Sequence, residues 1–255
     1  MNRLRLGAVL ALAATLVLCA HAPRVFAAAE VHRFNLVIAG IPTKVDGGDL
    51  NRQIEDFNRA KLDPIGREGL SAIRFAWLFD VQFHYFVREN VAVNLGVGQL
   101  KSNTSREYLP GILQDIRIRG EVLSVPVHVG GDLYFRPYNQ GDFRARAYVG
   151  AGFMSMVDNK ALVEQVETNT DTLTTLGGST RSVGVGDSPG YYVETGAHLF
   201  FAARYSVMLG AVYRSAKIRG MVDRVTREPL LRPDGKPYTL DLSGAGVKMA
   251  ILIGF

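Results

Sequence analysis

Residues 71–86 read SAIRFAWLFDVQFHYF. Odd positions carry Ile73, Phe75, Trp77, Phe79, Val81, Phe83 and Tyr85, whereas even positions include Arg74, Asp80, Gln82 and His84. Successive side chains of a strand point to opposite faces, so this stretch predicts a strand with one uncharged face. That face runs for seven alternate residues, long enough to cross a bilayer as a tilted strand.

The same split recurs along the chain. Val91, Val93, Leu95 and Val97 oppose Asn94, Gly96 and Gly98, and Leu123, Val125, Val127, Val129, Leu133 and Phe135 oppose Ser124, His128 and Asp132. Phe143, Ala145, Ala147, Val149 and Phe153 oppose Arg144, Arg146, Gly150 and Gly152. Tyr191, Val193, Ala197, Leu199 and Phe201 oppose Glu194, Gly196, His198 and Arg204, and Tyr205, Val207, Leu209 and Tyr213 oppose Ser206, Gly210 and Arg214. Val247, Met249, Ile251, Ile253 and Phe255 oppose Gly244, Gly246 and Lys248, while a weaker first strand over 32–41 sets Phe34, Leu36 and Ile38 against Arg33 and Asn35. The count is eight strands.

In the fourth strand the apolar parity changes, from Ile116, Ile118 and Val122 to the odd series beginning at Leu123. A bulge near Val122, at the membrane rim, is the expected cause, and Pro126 should distort the ladder locally because it has no N–H to donate. Connections alternate in length. Short turns fall at 87–90, 136–142 and near Arg204; long ones span 42–69, 102–111, 159–189 and 217–237. This asymmetry predicts an up-and-down antiparallel barrel with tight periplasmic turns, long external loops and both termini in the periplasm.

Around this pattern the 255-residue chain is 47% hydrophobic and carries a net charge of +5. Residues 1–29 read as a secretory signal peptide: Arg3 and Arg5, an apolar run over 6–18, then Ala27, Ala28 and Ala29. The barrel domain then spans 30–255. Removing Arg3, Arg5 and Arg24 leaves 26 basic against 24 acidic residues, too even a balance for a nucleic-acid surface. Cys19 is the sole cysteine and lies in the leader, and Leu18 before it is too large for a lipoprotein site. The mature chain therefore has no disulfide, thiolate or Cys-ligated metal. No later stretch has the length of a transmembrane helix.

Alternation alone fits a lipid-facing barrel or a lipocalin-like soluble carrier. Small residues crowd the polar face (Gly96, Gly98, Gly150, Gly152, Gly196, Gly210, Gly244 and Gly246), as suits a narrow interior. Tyr85, Phe135, Phe143, Phe201, Tyr205 and Phe255 sit beside the short turns, as an interfacial girdle does. Both features favour the membrane.

The terminal Phe255, with Val247, Met249, Ile251 and Ile253 before it, resembles the assembly signal of bacterial outer-membrane barrels. The segments EVLSVPV (121–127) and YVGAG (148–152) are similar to those of the small eight-stranded superfamily with OmpA-type and OmpW-type domains. The resemblance implies insertion by the outer-membrane assembly machinery of a Gram-negative bacterium and carries over no catalytic residue. Residues 49–62 depart from its shortest members.

Parity assigns Arg33, Arg74, Asp80, Asp132, Arg144, Arg146, Glu194, Arg204, Arg214 and Lys248 to the lumen. They are expected to form an ion-pair network; an excess of arginine would instead suit a passage for small anions. His84, His128 and His198 share that face, but their scatter gives no metal site, and no cofactor is expected. Ser124 and His128 lie about 13 Å apart along a strand, too far for a nucleophile and base.

Leu50, Ile54, Phe57 and Leu62 mark a short helix over 49–62 in the first long loop, capped by Asp49 and ended at Pro64, lying over the rim or acting as a lid. Basic residues of 217–237 exceed acidic ones by three, which suits lipopolysaccharide phosphates. The 159–189 loop, rich in Thr, Ser and Gly, reads as mobile. Together these features predict a monomeric, non-catalytic barrel with a structural or surface-interaction role, in contact with outer-membrane lipids. The alternatives are a narrow conduit for small or hydrophobic solutes and a lipid A-modifying enzyme.

Overall fold

The computed structural model describes residues 32–255 except 67, 112, 113, 141, 142, 170–173, 185–187, 202, 203, 224, 225 and 233. In chain order the elements are β1 (Phe34–Lys44), α1 (Asp49–Phe57), β2 (Phe75–Arg88), β3 (Val91–Gly111), β4 (Gln114–Tyr134) and β5 (Tyr138–Gln140). They continue as β6 (Phe143–Asn169), β7 (Thr174–Gly184), β8 (Ser188–Phe200), β9 (Tyr205–Ser215), β10 (Lys217–Arg219), β11 (Val222–Asp223), β12 (Thr239–Asp241) and β13 (Gly244–Gly254).

Eight strands form the wall. β1, β2, β3, β4, β6, β8, β9 and β13 pair antiparallel in that order, and β13 pairs back onto β1, with Leu36 opposite Ile253 and Ala39 opposite Ala250. This closure matters because hydrocarbon tolerates a sheet only when its edges are joined. Every wall strand turns apolar side chains outward, among them Ile38, Val81, Leu95, Val127, Val149, Val193, Leu209 and Ile251, all exposed. The lower interior holds Asp80, His84, Asp132 and Lys248, all buried. A lipocalin-like carrier has the opposite polarity, apolar inside and polar outside. The fold is an all-β, up-and-down transmembrane barrel.

The fourth wall strand differs from its sequence reading. From Gly120 onward the even positions of β4 stay inside, with Gly120, Val122, Ser124, His128, Asp132 and Tyr134 buried. The extra residue belongs to β6. Register passes from Leu123 opposite Lys160 to Val125 opposite Val157, so Asp158 and Asn159 together face Ser124. Asp158 takes a left-handed φ of 46°. The apolar parity of β4 changes because its surroundings invert. Below Leu123 the outer face meets lipid; above it the inner face packs on a plug, where a Cβ on Gly120 would reach Ile54 and Ile73. Pro126 leaves Gly98 and Gln99 out of the β3–β4 pairing, which resumes in the same register at Leu100.

Two expected loops are paired strands. The β3–β4 hairpin continues to Gly111 opposite Gln114, and β6 stays paired with β4 while exchanging β8 for β7, from Lys160 opposite Gly184 to Asn169 opposite Thr174. Backbone pairing needs no lipid, and the Thr, Val and Ile of these arms favour it beyond the belt.

The first long connection holds α1, extended by a π-helical turn over Asn58–Leu62 and a 3-10 turn over Asp63–Ile65 that contains Pro64. Gly48, not Asp49, caps the helix, and no side chain caps it. Gly48 has φ 56°, and a Cβ there would lie 2.7 Å from the Thr239 carbonyl oxygen. Leu50 and Ile54 are buried and Phe57 is partly buried against the same core. Because α1 meets β4 at Gly120 and β12 at Thr239, it crosses the external mouth of the barrel rather than resting on its rim. Above the polar storey, Leu78, Leu100, Val122, Met156, Leu240 and Leu242 complete the apolar plug.

Candidate functional site in the lumen and at the external mouth

Lys248 on β13 is fully buried, and its Nζ donates to Glu194 Oε2 on β8 at 2.9 Å and to Gln82 Oε1 on β2 at 3.3 Å. Gln82 Nε2 donates to Asp80 Oδ2 at 2.5 Å, and His128 Nε2 lies 3.1 Å from both Asp80 oxygens. His84 Nε2 sits 2.8 Å from Gln82 Oε1, and its Nδ1 is 3.6 Å from Asp132 Oδ2. Asn94 Nδ2 donates to that same oxygen at 3.0 Å, and the Tyr192 hydroxyl donates to Asn94 Oδ1 at 2.7 Å. One connected network therefore ties β2, β3, β4, β8 and β13 together through the lumen. Such a network is stable because each buried charge meets an opposite charge or a hydrogen-bonding group.

Nearer the end with the short turns lies a second cluster. The Arg146 guanidinium stands 5.3 Å from the Tyr134 ring centroid, Tyr134 packs on Tyr148, and His198 Nε2 is 2.6 Å from Ser206 Oγ. Arg214 lies above the network, its Nε donating to the Leu242 carbonyl at 2.9 Å and its Nη2 to Thr43 Oγ1 at 3.2 Å.

Parity placed four arginines in the lumen that lie elsewhere. Arg33, Arg74, Arg144 and Arg204 are exposed at the two rims, because the alternation continues past the height at which the wall encloses a cavity. Among the described residues the buried guanidiniums of the lumen are Arg146 and Arg214, set against Asp80, Asp132 and Glu194. The excess of arginine that would favour an anion passage is thus absent from the described lumen. The histidines each have separate partners, and among the described residues no group of three His, Cys, Asp or Glu side chains could hold a metal. Ser124 Oγ donates to Asn159 Oδ1 and not to His128.

Gln82, Asn94 and Ser206, which the alternation puts on the polar face, and Tyr134, Tyr148 and Tyr192, which it does not mark, complete the site. They share the inward parity of the charged residues, which was the available signal.

The girdle residues Tyr85, Phe135, Phe201, Tyr205 and Phe255 are exposed at the end with the short turns; the side chain of Phe143 lies outside the described residues. Val247, Met249 and Ile251 face outward with Phe255, whose N–H donates to the Phe34 carbonyl at 2.9 Å. Ile253 is half-buried.

At the external mouth, α1 and the last long connection bound a cleft of about 470 Å³, lined by Arg52, Gln53, Asp56, Phe57, Arg232 and Tyr238 among others. Asp49 joins its walls, accepting from the Thr239 N–H at 2.8 Å and pairing with Arg52 and Arg232. The positive charge expected of 217–237 is largely absorbed: Lys217 pairs with Asp241 at 3.0 Å, and Arg232 and Lys236 with Asp234. Its hydrogen bond to Asp241 holds the Lys217 ammonium above its ordinary pKa. On the β3 arm, Arg106 binds Glu68, and that hydrogen bond followed by the guanidinium charge holds the Glu68 carboxyl below the usual range.

These features define a class: an eight-stranded outer-membrane-type barrel with a filled lumen and a structured external face. No protein-family profile matches the sequence, and no curated protein is similar to it. Among solved structures the chain is similar to the Neisserial surface protein A, NspA, with 14% identity over 87% of this chain and 97% of that one and a TM-score of 0.43. It is similar to Ail, the attachment invasion locus protein of Yersinia pestis, with 12% identity over 88% and 98% and a TM-score of 0.32. It is also similar to the outer membrane protease OmpT of Escherichia coli, with 9% identity over 87% and 96% and a TM-score of 0.31.

Proposed function

We propose that the protein is a non-catalytic, monomeric barrel of the Gram-negative outer membrane whose closed lumen supports an ordered external surface for interaction. On this reading residues 1–29 are a cleaved leader, the assembly machinery inserts the chain, and outer-membrane lipids, lipopolysaccharide among them, are its surroundings. The observation that carries the reading is the double filling of the interior. The buried Lys248–Glu194 pair and its neighbours occupy the lower storey, and Leu50 and Ile54 of α1 occupy the upper one. A conduit needs a continuous path, and both storeys interrupt it. What remains for function is the external face, where α1, the hairpin arms and the cleft beside Tyr238 form a structured platform.

Planar-bilayer recording of the purified barrel tests this. Silence is the expected result, and reproducible discrete conductance steps would favour a solute passage instead. Lipid A from cells expressing the protein should show an unchanged mass spectrum; a new lipid A species would return the enzyme reading.

A further inference from the structure

We propose that the periplasmic rim of the barrel is a binding surface for the phosphate groups of anionic phospholipids in the inner leaflet of the membrane it spans. The surface is built by arginines set beside the aromatic girdle. Arg33 precedes Phe34, Arg136 follows Phe135, Arg144 follows Phe143, and Arg204 lies between Phe201 and Tyr205. All four arginines are exposed, as are Phe34, Phe135, Phe201 and Tyr205. A strand rises about 3.3 Å per residue, so each guanidinium starts within roughly 10 Å of an interfacial ring, the depth of lipid headgroups. The flexible arginine stem lets the charge reach them.

A second observation is the local charge balance of the periplasmic rim. On the external face several basic side chains find carboxylates within the protein, among them Arg52 with Asp49, Lys217 with Asp241 and Arg232 with Asp234. At the periplasmic rim Arg33, Arg136, Arg144 and Arg204 make no ion pair among the described residues, and the described acidic side chain there is Glu89. Arg146 extends this charge into the lumen, buried and with no hydrogen-bond partner at Nε. These exposed guanidiniums are available to an anion at headgroup depth, and the phosphate of an anionic phospholipid is one that a guanidinium grips well.

The test uses the full mature chain reconstituted in bilayers of equal phosphatidylcholine and phosphatidylglycerol, then extracted gently and analysed for retained lipid by mass spectrometry. Phosphatidylglycerol should be enriched about fivefold over phosphatidylcholine, the weight of one cation at an anionic surface. Replacing Arg33, Arg136, Arg144 and Arg204 together by Gln should return the ratio to that of the bulk bilayer, and replacing all four by Lys should keep most of the preference. Heat-modifiable electrophoretic mobility reports folding of each variant separately. Should the Gln variant fail to fold, a salt series on the unaltered protein decides, because screening at about 1 M salt must abolish an ionic preference. A bulk-like ratio for the unaltered protein, a Gln variant that retains enrichment, or an enrichment indifferent to salt overturns the proposal. Binding to peptidoglycan sacculi that needs the same arginines, with no lipid preference, overturns it in favour of an acidic polymer.

Discussion

Lys248 and Glu194 meet 2.9 Å apart across the inside of β9, with side-chain exposures of 0% and 3%. Gly210 lies between them on the wall, paired to Lys248 on one side and to Gly196 on the other. A Cβ on Gly210 would meet the Thr195 carbonyl oxygen at 2.5 Å and the Tyr148 hydroxyl at 2.9 Å, so the wall passes close beneath the pair without a side chain of its own. This pair sets the first expectation. Glu194→Gln or Lys248→Met leaves one buried charge uncompensated, which costs about 3–5 kcal/mol. The double variant removes both charges and should recover most of that loss. Urea unfolding in bilayers measures all three, and a double variant no more stable than either single one would disprove the coupling.

Ile251 tests the membrane embedding of the wall. It is exposed on the outer face of β13 opposite Val207, within the apolar belt. An arginine near the midplane of a transmembrane barrel costs about 2–4 kcal/mol, whereas an exposed site of a soluble protein would accept it at little cost. Ile251→Arg should therefore destabilise the barrel in vesicles by that amount. An unchanged unfolding curve would place the face in water.

The alternation around Trp77 and Asp80 made the wall legible, because period two is a local property and a lipid face tolerates no exceptions over its width. The polar core was legible in its charged members for the same reason. Reading failed where surroundings change without a change in backbone. Val122 keeps its inward direction while its neighbours turn from a polar lumen to the apolar plug, and that inversion imitates a bulge. The bulge itself, at Asp158 and Asn159, left no strong mark because polar residues there read as a loop. Arg74, Arg144 and Arg204 have the parity of lumen residues but lie beyond its ends, and strand length alone did not show where the cavity stops. Asp49 has the identity of a helix cap, yet its partner is the Thr239 N–H, 190 residues away, which no local pattern reports.

Asn51 and Asn58 hold the plug together. The Asn51 amide accepts from the Ile73 N–H at 2.7 Å and donates to the Ile73 carbonyl at 2.8 Å, and Asn58 treats Leu70 likewise at 2.8 and 2.9 Å. Each side chain thus satisfies both backbone groups of a residue in the segment that descends from α1 to β2. Asn51→Ala leaves the buried Ile73 groups unpaired, a loss of about 1–3 kcal/mol that falls on the plug rather than the wall. Limited proteolysis should cut residues 68–74 faster, while heat-modifiable mobility stays normal. An unaltered cleavage rate would show that the clamp is dispensable.

Glu68 and Arg106 tie that same descending segment to the β3 arm, outside the membrane. The hydrogen bond from Arg106, and then its charge, lower the Glu68 pKa from 4.5. A carboxyl depressed in the folded state contributes fully above its unfolded pKa and loses that contribution as pH falls through the folded value. The link should therefore be intact at neutral pH and release in acid, below 4.5. A carbon-13 titration of the Glu68 carboxyl should give a midpoint under 4.5, and Arg106→Gln should bring it back to that ordinary value. The pair is solvent-exposed on the glutamate side, so salt should weaken the effect in the unaltered protein. A midpoint that ignores both the Arg106 substitution and salt would mean that the two side chains do not meet in solution.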